Sequence, residues 1–256
     1  MKKFILIFSL LYICQLTNAQ SKEDVSFKDF GTTSAPIESK ALFGFQLGPT
    51  IPMGDFGDID YNNEKSGLAK AGIYLKASVL YSFTETFYGI LEAGYSSNPL
   101  DEDELIIPVV NAIPSFVRVS ASSKNWDATT FNVGVGTRTL IDDRTYFLTK
   151  FGFGVQKMST PSYTISLTDG RTTETASQSS ASSSNLNLLL GGSIMTEISS
   201  TAFFTIGVDY LRSSHEFVDI KVNTTLNGSS SSPTQSFNFE QDVEMISIMV
   251  GFTFKI

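Results

Sequence analysis

The chain has 256 residues, a formal net charge of −8, one cysteine and 41% apolar side chains. The acidic balance argues against a nucleic-acid partner and against a polybasic membrane-surface binder. After the first residues no run of about 20 apolar side chains occurs, which excludes a membrane-spanning helix, and a single cysteine cannot build a disulfide framework.

Lys2 and Lys3, the apolar run Phe4 to Ile13 and the small-residue site Thr17-Asn18-Ala19 form a secretory signal peptide over residues 1–19, with cleavage expected before Gln20. Cys14 follows Ile13, where lipid attachment requires a small residue, so it is expected to leave with the signal. Losing Lys2 and Lys3 takes the formal charge from −8 to −10. Residues 20–41 are polar and aperiodic and read as a flexible periplasmic lead-in. Residues 42–256 read as one domain.

Within that domain, short polar marks recur about every 57 residues, at Thr84-Glu85-Thr86, Asp142-Asp143-Arg144 and Ser199-Ser200-Thr201. Each separates two stretches that alternate apolar and polar side chains, as half-buried strands do. The second strand opposes Ile73, Leu75, Val79 and Tyr81 to Lys76 and Ser78; the fourth opposes Phe131, Val133 and Val135 to Asn132, Gly134 and Arg138. The first (from Phe43), third, fifth, sixth, seventh and eighth (to Phe254) follow the same rule. One face is apolar throughout; the other mixes glycine with Lys76, Glu92, Arg138, Lys150, Glu197 and Asp209. A soluble barrel would turn its large apolar side chains inward, whereas an apolar outer band around a small charged interior is the pattern of a barrel in a membrane. The expected fold is therefore all-β, an eight-stranded antiparallel up-and-down transmembrane barrel with strands extended on the extracellular side. Eight strands leave an interior filled by side chains, so the six charges are expected to pair as an interior network. Phe83, Phe87, Tyr146, Phe147, Phe203, Phe204, Phe252 and Phe254 suit one interfacial girdle, and Tyr95, Trp126 and Tyr210 the other.

A tilted strand crosses a bilayer in about 9–11 residues, yet several arms are longer. Alternation resumes at Tyr163, Ile165 and Leu167 before the hairpin signal Asp169-Gly170, and at Val218, Ile220 and Val222 before Asn227-Gly228. These arms are expected to stand above the bilayer and to expose backbone edges and outward side chains (Tyr163, Ile165, Leu167, Val218, Ile220), with the serine-rich stretches 177–184 and 229–232 near their tips. Residues 98–124 hold an apolar island, Leu105 to Val119, interrupted by Pro108 and Pro114; an extra hairpin, a cap over the mouth and a contact patch all fit it.

The signal ending Asn18-Ala19-Gln20, the run Gly48-Pro49-Thr50-Ile51-Pro52-Met53-Gly54-Asp55-Phe56 and the closing Val250-Gly251-Phe252-Thr253-Phe254-Lys255-Ile256 resemble the small outer-membrane β-barrel domain family of Gram-negative bacteria (OmpA/OmpX-like, PorT-like). The resemblance covers about Ala41 to Ile256 by pattern. It implies location in the cell outer membrane, contact with outer-membrane lipid, and an aromatic signal in the last strand, Phe252 and Phe254, read by the barrel-insertion machinery. The final residue departs from that signal, being Ile256 and not an aromatic. The family spans adhesins, structural barrels, secretion accessories and orphans, so membership leaves function open.

Catalytic chemistry is thinly represented. His215 is the only histidine, and its strand phase brings it near Ser213 and Asp209, a combination that lipid hydrolases use; a polar residue where the strand leaves the membrane is the plainer reading. Asp55, Asp58, Asp60, Asn62 and Glu64 imitate a calcium loop, but Asn63 and Ala69 stand where its glycine and glutamate belong, so a solvated acidic loop is expected here and at Asp101 to Glu104. No catalytic residue, cofactor or metal is expected. The leading reading is a non-enzymatic monomeric barrel whose hairpins form a structural or binding surface for an extracellular protein or surface ligand. A narrow channel for small or apolar solutes and an accessory role in secretion are the alternatives.

Overall fold

A computed structural model describes residues 40–60, 63, 65–227, 229–230 and 234–256. The expected signal peptide and the expected lead-in as far as residue 39 lie outside the described residues, as do Asn62 and Glu64. Among the described residues the chain forms strands β1 (Ala41–Met53), β2 (Gly72–Ser82), β3 (Phe87–Asn98), β4 (Arg118–Ser123), β5 (Trp126–Asp142) and β6 (Thr145–Ser159). They continue as β7 (Tyr163–Thr168), β8 (Thr173–Gln178), β9 (Ser182–Ser199), β10 (Ala202–Leu226), β11 (Ser229–Ser230) and β12 (Gln235–Lys255). One helix, α1 (Glu102–Ala112), lies between β3 and β4. β1 starts at Ala41, one residue inside the expected lead-in.

Eight strands close a ring in the order β12, β1, β2, β3, β5, β6, β9, β10, with β10 pairing back onto β12, all antiparallel. The three polar marks become the tight turns β2–β3, β5–β6 and β9–β10 on one rim. There Asp142 accepts from the Arg144 amide (2.9 Å) and Thr84 Oγ1 from the Phe87 amide (2.9 Å), the local bonds that make such residues turn formers.

At the other rim the long arms build a second sheet. Above its pairing with β9, β10 takes β8 as its neighbour, β8 takes β7, and β7 takes β4, so that two loops raise a wall on part of the barrel. The island 105–119 thus resolves into the C-terminal part of α1 and the start of β4. Asp101 caps α1 by accepting from the Glu104 amide (3.3 Å) and pairs with Lys70 (3.0 Å), while Glu102, Asp103 and Glu104 oppose the positive end of the helix dipole. Glu102 also binds the amide and hydroxyl of Ser123, fixing α1 to β4 (2.6 and 2.8 Å). Pro108 stands within the helix.

The loop from β1 to β2 folds over the mouth of the ring. A 3-10 turn at Gly54–Gly57 buries Phe56 completely, and bonds from Gly67, Leu68 and Ala69 to Asp55, Asp58 and Phe56 hold the return path.

Candidate functional site

On the outer surface of the ring the expected apolar side chains stand exposed: Phe45, Leu75, Leu91, Phe131, Phe153 and Val208 among many. Their alternate neighbours point inward, and Asn132, Gln156 and Asp209 are at most 2% exposed. A closed ring has no free sheet edge, and a continuous apolar band on its outside loses free energy in water but not in lipid. The protein is an integral outer-membrane β-barrel.

Inside, the barrel is layered. At mid-height Lys76, Glu92, Lys150 and Asp209, from β2, β3, β6 and β10, form a four-membered ion ring. Lys76 Nζ lies 2.7 Å from Asp209 and 3.1 Å from Glu92, and Lys150 Nζ lies 2.8 Å and 2.6 Å from the same carboxylates. No member is more than 8% exposed. Two cations and two anions cancel, which is what permits four charges to be buried together. Glycine makes the room: a Cβ on Gly191 would lie 2.3 Å from Asp209 Oδ1, and one on Gly136 would lie 2.4 Å from the Tyr88 ring.

Toward the tight-turn rim the ring of ions rests on an apolar layer of Leu80, Tyr88, Ile90, Leu148, Met195 and Phe203. Between the two is a cavity of about 30 Å³, room for about two waters. On the opposite side Tyr74 reaches Thr130 (3.4 Å), followed by Ser213, Gln156 and His215, and then by an aromatic plug. In the plug Phe56 and Trp126 meet edge to face at 5.5 Å, Phe217 lies 5.9 Å from Trp126, and the Trp126 indole N–H donates to the Gly67 carbonyl (2.9 Å). The interior is thus closed by apolar side chains on both sides of the ions.

Of the six charges expected to form the network, the structure brings four together and separates two. The Arg138 guanidinium lies at the tight-turn rim, donating to the Glu85 carbonyl (3.2 and 3.3 Å) and lying over the Tyr146 ring at 5.7 Å. Glu197 pairs with Lys255 at the same rim (3.2 Å). Alternation fixes the face of a side chain but not its height, and six residues of strand, about 20 Å, separate Arg138 from Asn132. Three expected girdle aromatics also move inward: Trp126, Tyr146 and Phe203 are at most 7% exposed and belong to the two plugs. Phe252 and Phe254 of the closing strand point outward, at 48% and 43% exposure.

The catalytic constellation does not assemble. His215 Nε2 lies 3.1 Å from Ser213 Oγ and 3.3 Å from Gln156 Oε1, but Asp209 is held by the two lysines, and the imidazole is fully buried against Phe217. Asp58 satisfies itself locally, accepting from the Asp60 amide (3.0 Å) and Asn63 (2.8 Å), and among the described residues no cluster of three metal-ligating groups occurs.

No family model and no curated protein matches the chain. Solved structures with a similar chain path include Neisserial surface protein A, at 9% identity over 85% of this chain and 98% of that one, with a TM-score of 0.43. A major outer membrane protein from Thermus thermophilus (12%, 84% and 99%, 0.41) and Ail, the attachment invasion locus protein of Yersinia pestis (12%, 84% and 99%, 0.38), are others.

Above the belt the outer-membrane barrel changes character. On β10 the bulge at Val218 and Asp219, where Asp219 takes a φ of 55°, shifts the register against β12. Ile220 is fully buried beyond it and Val222, which shares its parity, is half-buried, whereas Leu226 at the end of the strand is 46% exposed. Cross-strand pairing carries that face sideways to Ala176, then to Ile165 and Leu167, then to Ala121 and Val119. The side chains expected to point outward from the arms therefore face inward, Val218 excepted, which is 54% exposed.

Proposed function

We propose that this is a non-enzymatic outer-membrane barrel that acts through its raised extracellular wall, as a structural or binding surface. The observation that carries the reading is the closed interior: among the described residues the ion ring lies between two apolar plugs. A binding surface then has to lie outside the barrel, and the added elements α1, β4, β7 and β8 have no part in closing the ring. The aromatic pair Phe252 and Phe254 is the feature through which the insertion machinery would act on the last strand.

Replacing Thr160 to Ala181 by a short turn tests this, because β6 and β9 still pair as far as Ser159 and Ser182. The trimmed barrel is expected to insert and to migrate differently in gels before and after boiling, while losing the surface phenotype of the full chain. Retention of every phenotype, or unitary conductance of the intact protein in planar bilayers, contradicts the reading.

A further inference from the structure

The charges of the barrel are unevenly placed. Among the described residues the tight-turn rim carries four acidic and four basic side chains and the ion ring two of each, whereas the mouth and the raised wall carry fifteen acidic and eight basic side chains. The excess negative charge of the folded chain therefore stands on the extracellular side, where it attracts cations and repels anions within reach of salt screening.

Within that field α1 has apolar surface to spare. Its middle, Leu105 to Val110, is apolar, yet none of its residues is buried. Leu105 packs against the core below, and Glu102 ties the helix to Ser123. Asp103, Ile106, Ile107 and Val110, at spacings of three, four and seven, share a stripe turned away from those two contacts. Asp103 and Val110 are exposed and the two isoleucines half-buried, and the link to β4 adds Phe116, 71% exposed. A stripe with this spacing is how one amphipathic segment seats another.

Charge decides what fits it. Lys70 pairs with Asp101 (3.0 Å) and the Ser123 amide donates to Glu102 (2.6 Å), while Asp103 stays exposed beside the apolar residues. The last turn of α1 has no basic residue to meet the negative end of its dipole. Arg118 and Lys124 have the parity of the outward face of β4, opposite to that of Ser123, to which α1 is tied. A second copy in the same membrane would set these acidic side chains against their own kind, which disfavours self-association.

We propose that α1 receives a cationic amphipathic segment of another protein, whose apolar side chains lie on Ile106, Ile107 and Val110 and whose lysine or arginine side chains face Asp103 and Glu104. The proposal rests on the binding-surface reading given above and names the chemistry of the partner.

The probe is a helical peptide with leucine at positions i, i+3, i+4 and i+7 and lysine elsewhere, beside a control with glutamate in place of lysine. Fluorescence anisotropy reads binding to the full chain in zwitterionic phospholipid nanodiscs, with the signal from empty discs subtracted. The lysine peptide is expected to bind and to weaken as salt is raised, and the glutamate peptide not to bind. Ile107→Ser with Val110→Ser is expected to lower the affinity about tenfold, and Asp103→Asn with Glu104→Gln about threefold, each variant keeping the heat-dependent gel shift of the folded barrel. Ser120→Ala with Ser166→Ala, on the outward face of the wall, is expected to leave it unchanged. Equal binding of the two peptides, lysine-peptide binding no greater than to empty discs, or full affinity in both α1 variants overturns the proposal. Conductance by a barrel that binds the peptide through α1 would sink the sealed-interior reading alone, and a sealed barrel indifferent to the peptide would sink this one alone.

Discussion

Along β10, Ile206 and Val208 point outward while Thr205 and Asp209 point into the barrel; twelve or so residues later Ile220 and Val222 point toward the axis while Asn223 and Thr225 point outward. The two regions share a strand, a period of two and much the same composition, and they differ in what lies outside. Lipid surrounds the lower wall, so apolar side chains are favoured outward and charges are buried only as a neutral ring. Above the belt the surroundings are polar, and burial of apolar area again favours the inside. The change begins at Leu211 and Arg212, the first buried and the second exposed, and the bulge at Val218 and Asp219 then shifts the parity so that Ile220 continues the inner face.

Breaking the ion ring should cost the most. Asp209→Ala leaves two buried lysines to one carboxylate and is expected to lower folding stability by about 3–5 kcal/mol, measured by urea titration in lipid vesicles. Placing a charge on the belt comes next: Val135→Arg should cost about 2–4 kcal/mol near the bilayer midplane, whereas Ser120→Arg on the outer face of the raised wall should change stability by less than about 0.5 kcal/mol. Equal costs would mean that the two outer faces meet the same solvent. On the inner face of the raised wall, Ile165→Ala removes a half-buried side chain, and about 1–2 kcal/mol is expected, read as local amide exchange in β7 and β8 with the ring unaffected.

The smallest effect belongs to the β7–β8 tip. The Asp169 carboxylate accepts from the Thr172 and Arg171 amides (2.8 Å each), which hold its pKa below the usual 3.8. A carboxylate lowered on folding stabilises the turn above its unfolded pKa and loses that contribution as the pH falls through the folded value. Exchange at the Arg171 and Thr172 amides should therefore quicken below about pH 3.8, while the ion ring, shut away from solvent, keeps its protection.

Much of this comparison is legible in the sequence. Alternation around the three turn marks assigns the belt and places Lys76, Glu92, Lys150 and Asp209 on the inner face. Parity also places Trp126 with Asn132, Tyr146 with Lys150 and Phe203 with Asp209, so the girdle assignment of these aromatics set residue type above position. What local pattern does not carry is height and partnership. The separation of Arg138 and Glu197 from the ion ring depends on register around the whole barrel. The pairing of β4 with β7 joins residues about 45 positions apart, and no short-range signal announces it. The change of parity beyond Phe217 depends on a bulge at Asp219, whose positive φ is unmarked by glycine.

The inversion itself is open to direct measurement, because the chain's sole cysteine is Cys14, so that a Cys14→Ser background allows single-cysteine variants in the barrel. An environment-sensitive fluorophore at Val155→Cys, Thr175→Cys and Ile165→Cys would be exposed to nitroxide-labelled lipid and, separately, to an aqueous quencher. The account predicts that lipid quenches position 155 alone, that the aqueous quencher reaches 175 freely, and that 165 is shielded from both. Lipid quenching at 165, or aqueous quenching at 165 stronger than at 175, would contradict it.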